Sequence, residues 1–396
     1  MNIKYILSHP IHYQTALIKF LIKKGIKIEV LFRSNMHTKK TFDPGFNRKV
    51  SIAKNVLNGI KYKYLNYLGP NKVGSILPIT TDFKSRIFEK ETDIIWLHGI
   101  KNWYNLCLIT IAKIYKKKVF IRDEVYHKSK NRSFLNKLFN YLFYLIVDNF
   151  IDIYLAIGSQ NKKYYLDHNI HKSKIVMLPY VVDNNFFLNK NKNKNKNKKK
   201  NKKIKFLFVG KLIKRKGVNL LLEAIKILKY NYRLNNNCNF LIVGDGLMRN
   251  QLKKFVKDNE LKNIKFYPFK NQNELKKIYR SADVFIMSST REPWGLTVNE
   301  AMAAGNAVIS SDNVGSSYDL IKNRKNGFIF KNGNAQDLAN KIVKIVKNKK
   351  KLEKFKLESI NIISKWDFNA CYFGLKKSIK CVQKINWASF QHANFI

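Results

Sequence analysis

The chain has 396 residues, with 76 Lys and Arg against 26 Asp and Glu, a formal charge of +50. That length exceeds one ordinary core and predicts two domains of roughly 150 to 200 residues, while a hydrophobic content of 45% argues against wholesale disorder. Cys107, Cys238, Cys371 and Cys381 form no C-x-x-C pair and have no histidine at metal-ligand spacing, which argues against structural zinc and fits a reducing, cytoplasmic location.

The N-terminal MNIKYILSHPIHYQ has an apolar run too short for a signal peptide, and its alternation reads as a first buried strand, Ile3 to Leu7. Tyr13 to Lys23 follows at helical spacing. Ile26 to Phe32, Ile94 to His98, Lys118 to Arg122 and Ile153 to Ile157 are further strands separated by amphipathic stretches. This alternation predicts a parallel sheet covered by helices on both faces. Leu138 to Ile157 comes nearest to a membrane span, but Asn140, Asp148, Asn149 and Asp152 interrupt it, and a span needs about eighteen apolar residues.

NNFFLNKNKNKNKNKKKNKK then marks a solvated linker or loop with little to bury. The pattern restarts in KIKFLFVGKLIKRKGVNLLLEAIKILK, with a strand from Ile204 to Val209 and a helix from near Val218. NFLIVGDG, IKFYPF, DVFIMSS, NAVISSD and GFIF supply further strands of a second doubly wound unit. The expected organisation is a domain over 1–183, a linker over 184–203, a second domain over 204–363, and a helix and tail over 364–396 that pack back across the boundary.

Open parallel sheets bind ligands where their strands end. Val209-Gly210-Lys211 with Lys214-Arg215-Lys216-Gly217 offers a glycine turn and cations for a diphosphate. Val243-Gly244-Asp245-Gly246 is either a ligand-facing turn or a tight strand-to-helix connection. In REPWGLTVNEAMAAGNAVI, the helix N-terminus at Gly295, Leu296 and Thr297 forms an anion site. A nucleotide diphosphate there would meet Lys211 and Lys216. Glu300 would reach the ribose hydroxyls, and Glu292 would face whatever the diphosphate carries.

VGKLIKRKG, IVGDG and REPWGLTVNEAMAAGNAVI together resemble the donor-binding half of the retaining family 4 glycosyltransferases, over roughly Lys205 to Lys347. The resemblance implies an α/β fold of GT-B architecture, two facing Rossmann-like doubly wound parallel-sheet domains with a cleft between them. It also implies that Glu292 contacts the transferred sugar, that Glu300 holds the ribose, and that Lys211 and Lys216 bind the diphosphate. Lys211 stands where the family has arginine and lacks the planar fork; Trp294 stands where phenylalanine is usual. The segment His9-Pro10-Ile11-His12-Tyr13-Gln14 looks like that of a subgroup without the glycine-rich first loop of many relatives. His98 matches a position where the family often has an active-site histidine. Arg122 and Glu124, after the next strand, are expected to face the acceptor with His12.

The implied reaction moves a sugar from a nucleotide-diphosphate sugar to a hydroxyl of a glycan or lipid-linked acceptor, with retained configuration and with neither cofactor nor metal. Glu292 is either a nucleophile or an orienting group. A GT-B nucleotide-sugar epimerase is the alternative reading, and a basic nucleic-acid-binding protein a more distant one; the scattered charges show no recognised nucleic-acid module. The lysine excess reads either as codon bias or as attraction to an anionic partner. Lys101 to Lys118 and Lys128 to Tyr144 are basic, aromatic and amphipathic, which suits peripheral contact with an anionic membrane or ordinary core-facing helices.

Overall fold

A computed structural model describes residues 1–35, 41–43, 45–50, 54–68, 79–127, 134–188, 203–234 and 237–393, with side-chain surroundings described as far as residue 383 except at 41, 42, 48–50 and 83. The Asn/Lys repeat of the expected linker and the start of the Lys128 to Tyr144 stretch lie outside the described residues.

In chain order, the first domain contains β1 (Ile3–Leu7), α1 (His12–Lys23), β2 (Ile28–Phe32), β3 (Thr41–Asp43), β4 (Arg48–Val50), β5 (Tyr62–Tyr64), β6 (Tyr67–Leu68), β7 (Ile79–Thr80) and β8 (Ile94–His98). It continues with α2 (Trp103–Ile114), β9 (Lys118–Arg122), α3 (Phe134–Val147), β10 (Ile153–Ala156), α4 (Ser159–Leu166), β11 (Ile175–Met177) and α5 (Asn184–Phe187). Seven strands form a parallel sheet in the order β11-β10-β9-β8-β1-β2-β5, and β3–β4 and β6–β7 are small antiparallel pairs. The central strands are almost unbroken apolar runs because helices cover both faces.

The second domain contains β12 (Ile204–Val209), α6 (Val218–Tyr230), β13 (Cys238–Val243), α7 (Arg249–Asp258), β14 (Ile264–Tyr267), α8 (Gln272–Ser281) and β15 (Val284–Met287). After these come α9 (Leu296–Ala303), β16 (Ala307–Ser311), α10 (Ser317–Leu320), β17 (Gly327–Phe330), α11 (Ala335–Val346), α12 (Lys349–Ile363) and α13 (Phe368–Ala393). Its parallel sheet runs β14-β13-β12-β15-β16-β17, with the strand order reversing between β12 and β15. In the first sheet the same reversal falls between β1 and β8. Such switch points open crevices at strand C-termini, which is where the candidate residues sit.

Helix packing and a shared apolar cluster join the domains. Helix α13 packs on the first sheet: Cys371, Leu375 and Val382 share a buried cluster with Tyr5, Val30 and Leu178, and Phe368 meets Phe20 of α1 at 5.5 Å. Tyr180, Val182 and Phe187 are buried with Trp294, Val298 and Met302 in another cluster that spans the boundary. The Asn184 amide fixes the crossing by donating to the carbonyls of Ile363 (2.9 Å) and Trp366 (3.1 Å). Among the described residues, no helix is long and apolar enough to cross a membrane.

Candidate functional site

The loops after β12 and β15 lie side by side, as Thr290 N donates to the Arg215 carbonyl at 2.9 Å and Ser288 Oγ to that of Lys216 at 3.2 Å. This register carries the basic run to the first glutamate. Lys216 Nζ lies 2.5 Å from Glu292 Oε2, and Arg215 Nη1 lies 3.2 Å from the same oxygen and 3.0 Å from the Arg291 carbonyl. Arg215, expected only as one cation of the basic run beside a diphosphate, is instead paired with the glutamate. The Glu292 backbone is held as well: its N–H donates to the Asn313 carbonyl at 3.1 Å, and its carbonyl accepts from Gly315 N at 2.9 Å. Tyr126 of the first domain donates to the same Asn313 carbonyl at 2.6 Å, so Glu292 sits where the two domains meet.

Gly295 turns the chain from this loop into α9. Its φ of 93° is left-handed, and an added Cβ would stand 3.1 Å from Met287 and 3.3 Å from the Glu292 side chain. The first amides of α9, from Leu296 and Thr297 onward, therefore open beside Glu292; the Thr297 hydroxyl lies 3.6 Å from Met287 Sδ. Glu300, one turn further in, is buried. It accepts a 2.8 Å bond from the Tyr279 hydroxyl and a 3.5 Å bond from the Gln272 amide. Burial pushes its carboxyl up to about 7, with the Tyr279 and Gln272 hydrogen bonds pulling the other way. Gly244 lies against Gly210 so closely that a Cβ would come within 1.9 Å of the Gly210 carbonyl; side chains are thus kept off these strand ends.

Lys211 reaches across the cleft. Its Nζ lies 2.9 and 3.0 Å from the two carboxylate oxygens of Asp43 and 4.7 Å from the Phe46 ring, both in the first domain.

Two further candidate residues are buried. Trp294 is buried; its indole N–H donates to Asn299 at 2.9 Å, and its ring stacks on Trp366 at 5.3 Å and meets Tyr180 edge-on at 6.4 Å. It belongs to the interdomain core, because the ring is large and apolar and its one polar atom is satisfied there. Arg122, expected on the acceptor side, is also buried. It donates to the carbonyls of Leu178 (3.1 Å) and Pro179 (2.9 Å) with its guanidinium 4.4 Å from the Tyr180 ring, satisfying the segment that leads into the crossing.

His98 ends β8 with Nδ1 3.5 Å from the Gln14 amide and Nε2 3.3 Å from the Tyr180 hydroxyl. Burial, reinforced by the Arg122 charge, pushes its pKa down to about 3, so the ring is neutral at ordinary pH. Tyr180 donates to Glu124 Oε1 at 2.7 Å. Burial raises the Glu124 pKa, the Tyr180 bond opposes that rise, and the Glu292 charge adds to it. His12 begins α1, and burial lowers its pKa. His98, Tyr180 and Glu124 thus form a chain of polar groups on the first-domain side. Gln14 was visible only as part of the His9 to Gln14 segment, and Tyr180 carried no signal.

Residues 189–361 match the family model described as glycosyl transferases group 1. An uncharacterized glycosyltransferase of Methanocaldococcus jannaschii is 27% identical over 171 residues, 43% of this chain and 46% of that one. A second from the same organism is 39% identical over 123 residues, 31% and 30% of the two chains, and the amylovoran biosynthesis glycosyltransferase of Erwinia amylovora is 33% identical over 144 residues, 34% of each. The matches to these relatives thus span 30% to 46% of their length. Among solved structures, Anabaena HepE in complex with UDP superposes with a TM-score of 0.70 at 15% identity, covering 96% of this chain and 100% of that one. The apo lipopolysaccharide outer core galactosyltransferase WaaB gives 0.68 at 17%, covering 96% and 99%. The fold is GT-B.

Proposed function

We propose that this chain is a glycosyltransferase that moves a sugar from a nucleotide-diphosphate sugar to a hydroxyl of a glycan or lipid-linked acceptor with retention of configuration. The observation that carries the proposal is the placement of two differently prepared glutamates about the N-terminus of α9: Glu292 in a cationic loop at the domain junction, and Glu300 buried a turn deeper. A diphosphate at that N-terminus draws on Lys216 and on Lys211, while Glu300 and Tyr279 address the ribose. The group 1 match over this region and the UDP in the HepE complex support the same reading.

The anomeric carbon–oxygen bond to the β-phosphate breaks as the acceptor oxygen bonds to that carbon on the same face. The acceptor proton passes to the leaving phosphate, giving the glycoside and a nucleoside diphosphate. Charge growing on the phosphate is met by Lys216, Lys211 and the α9 amides, which need little rearrangement. Glu292 orients the sugar rather than attacking it, because a carboxylate gripped by Lys216 and Arg215 is a weakened nucleophile. Glu124 and neutral His98 receive the acceptor side. The amylovoran enzyme and the E. coli galactosyltransferase that acts on a GlcNAc-diphosphoundecaprenol, 30% identical over 145 residues, support a surface-glycan or lipid-linked acceptor.

A thermal-shift screen of UDP-, GDP- and ADP-sugars, followed by incubation of the stabilising donor alone, tests the reading. Stabilisation by one donor class with slow hydrolysis or no change supports a transferase. Isomerisation of the donor sugar would assign the site to an epimerase, and no stabilisation by any donor would defeat the proposal.

A further inference from the structure

Helix α3 turns its apolar side outward. Its 14 residues, FLNKLFNYLFYLIV, contain no acid, and the polar ones are Asn136, Lys137 and Asn140. Asn140, Tyr144 and Val147 are buried, a stripe at helical spacing that attaches the helix to the domain. Phe134 (77% exposed), Leu135 (74%), Phe139 (68%), Leu142 (47%), Leu145 (49%) and Ile146 (66%) face solvent. A surface helix ordinarily does the reverse, burying its apolar stripe and wetting its polar one. On α2, Trp103 and Ile114 are exposed as well, and Lys101 just before it lies 5.1 Å from the Phe143 ring and 5.6 Å from the Tyr144 ring. An exposed apolar helix face of this kind marks an interaction site.

The charges around it identify the occupant. Asp148, directly after α3, is paired with Lys174 at 3.1 Å, and Asp152 is paired with Lys113 at 2.8 Å and Lys118 at 3.6 Å. Lys137 on the helix and Lys101 and Lys116 at the ends of α2 are exposed cations. The surface is therefore apolar with a positive rim and neutralised acids, the complement of negative headgroups over hydrocarbon. Fourteen residues make a helix of about 21 Å, too short to cross a bilayer and suited to lying in its plane.

We propose that α3 seats this protein in the surface of an anionic lipid bilayer. Phe134 follows Glu124 by ten residues, a reach of at most about 35 Å, so the docked helix brings the acceptor side of the cleft close to the headgroups. That consequence rests on the proposed sugar transfer; the docking itself does not.

The test is co-sedimentation of the full chain with phosphatidylcholine vesicles, with and without phosphatidylglycerol, across a salt series. The double variant Phe139→Gln/Leu142→Gln and, separately, Ile146→Gln leave the charge unchanged and alter only exposed side chains. Their thermal unfolding and nucleoside-diphosphate binding establish that they fold. Binding that requires phosphatidylglycerol, weakens with salt and falls by about ten-fold or more in the double variant is the expected result. Three results would overturn it: no binding to anionic vesicles; equal binding by wild type and double variant, which is attraction by charge alone; or lipid-free dimerisation that the double variant abolishes, which makes the occupant a second copy.

Discussion

Glu300 and His98 are both shifted by burial, in opposite senses, and this gives the site a pH signature. Folding raises the Glu300 carboxyl from 4.5 to about 7, so the folded chain holds that proton more tightly than the unfolded one. Its contribution to stability falls as pH rises from 4.5 toward 7. Folding lowers His98 from 6.5 to about 3, so its contribution falls as pH drops through that window. Denaturant titrations at a series of pH values are expected to show Glu300→Gln flattening the first slope and His98→Asn the second. Unchanged slopes in both variants would contradict the burial assigned to these groups. At this scale, the two glutamates and Lys216 were legible because a short motif holds them next to a helix start. Tyr279 and Tyr126 were not: Tyr279 joins Glu300 from 21 residues away, and Tyr126 joins Asn313 across 187.

The strand–helix alternation could be read from the sequence because parallel strands covered on both faces are unbroken apolar runs. Ile3–Leu7, Ile94–His98, Lys118–Arg122 and Ile204–Val209 have the same bounds in the structure. Tyr62–Tyr64 escaped notice: three residues, partly exposed on the sheet edge, make no pattern. The β3–β4 pair is as short, and it carries Asp43. The α9 turn is the element most exposed to single substitutions. Gly295→Ala forces a side chain into left-handed backbone against Met287 and Glu292, and is expected to lower stability by about 1–3 kcal/mol while weakening donor binding. Trp294→Ala, which opens a cavity between Trp366 and Tyr180, is expected to cost about 3–5 kcal/mol. Chemical denaturation measures both; a neutral Trp294→Ala would contradict its place in the interdomain core.

Across the whole molecule, the cleft is held by contacts that no local pattern announces. Asp43 lies 168 residues from the Lys211 it pairs with, and the Asn299 amide reaches the Tyr180 carbonyl over 119. In the proposed reading a donor diphosphate draws on Lys211, the lysine that the Asp43 carboxylate holds, so the two compete for it. Asp43→Asn is therefore expected to tighten donor binding several-fold, as read by calorimetric titration; weaker binding would show instead that the bridge holds the cleft in its binding form. The central claim is that the paired glutamates divide the donor between them, with Glu300 on the nucleotide and Glu292 on the sugar. Its most direct test is to measure nucleoside-diphosphate affinity and turnover side by side in Glu300→Gln and Glu292→Ala. The expected result is nucleotide affinity weakened by about ten-fold or more in Glu300→Gln, and near-normal nucleotide affinity with turnover lost in Glu292→Ala. Near-normal affinity and turnover in both variants would contradict it.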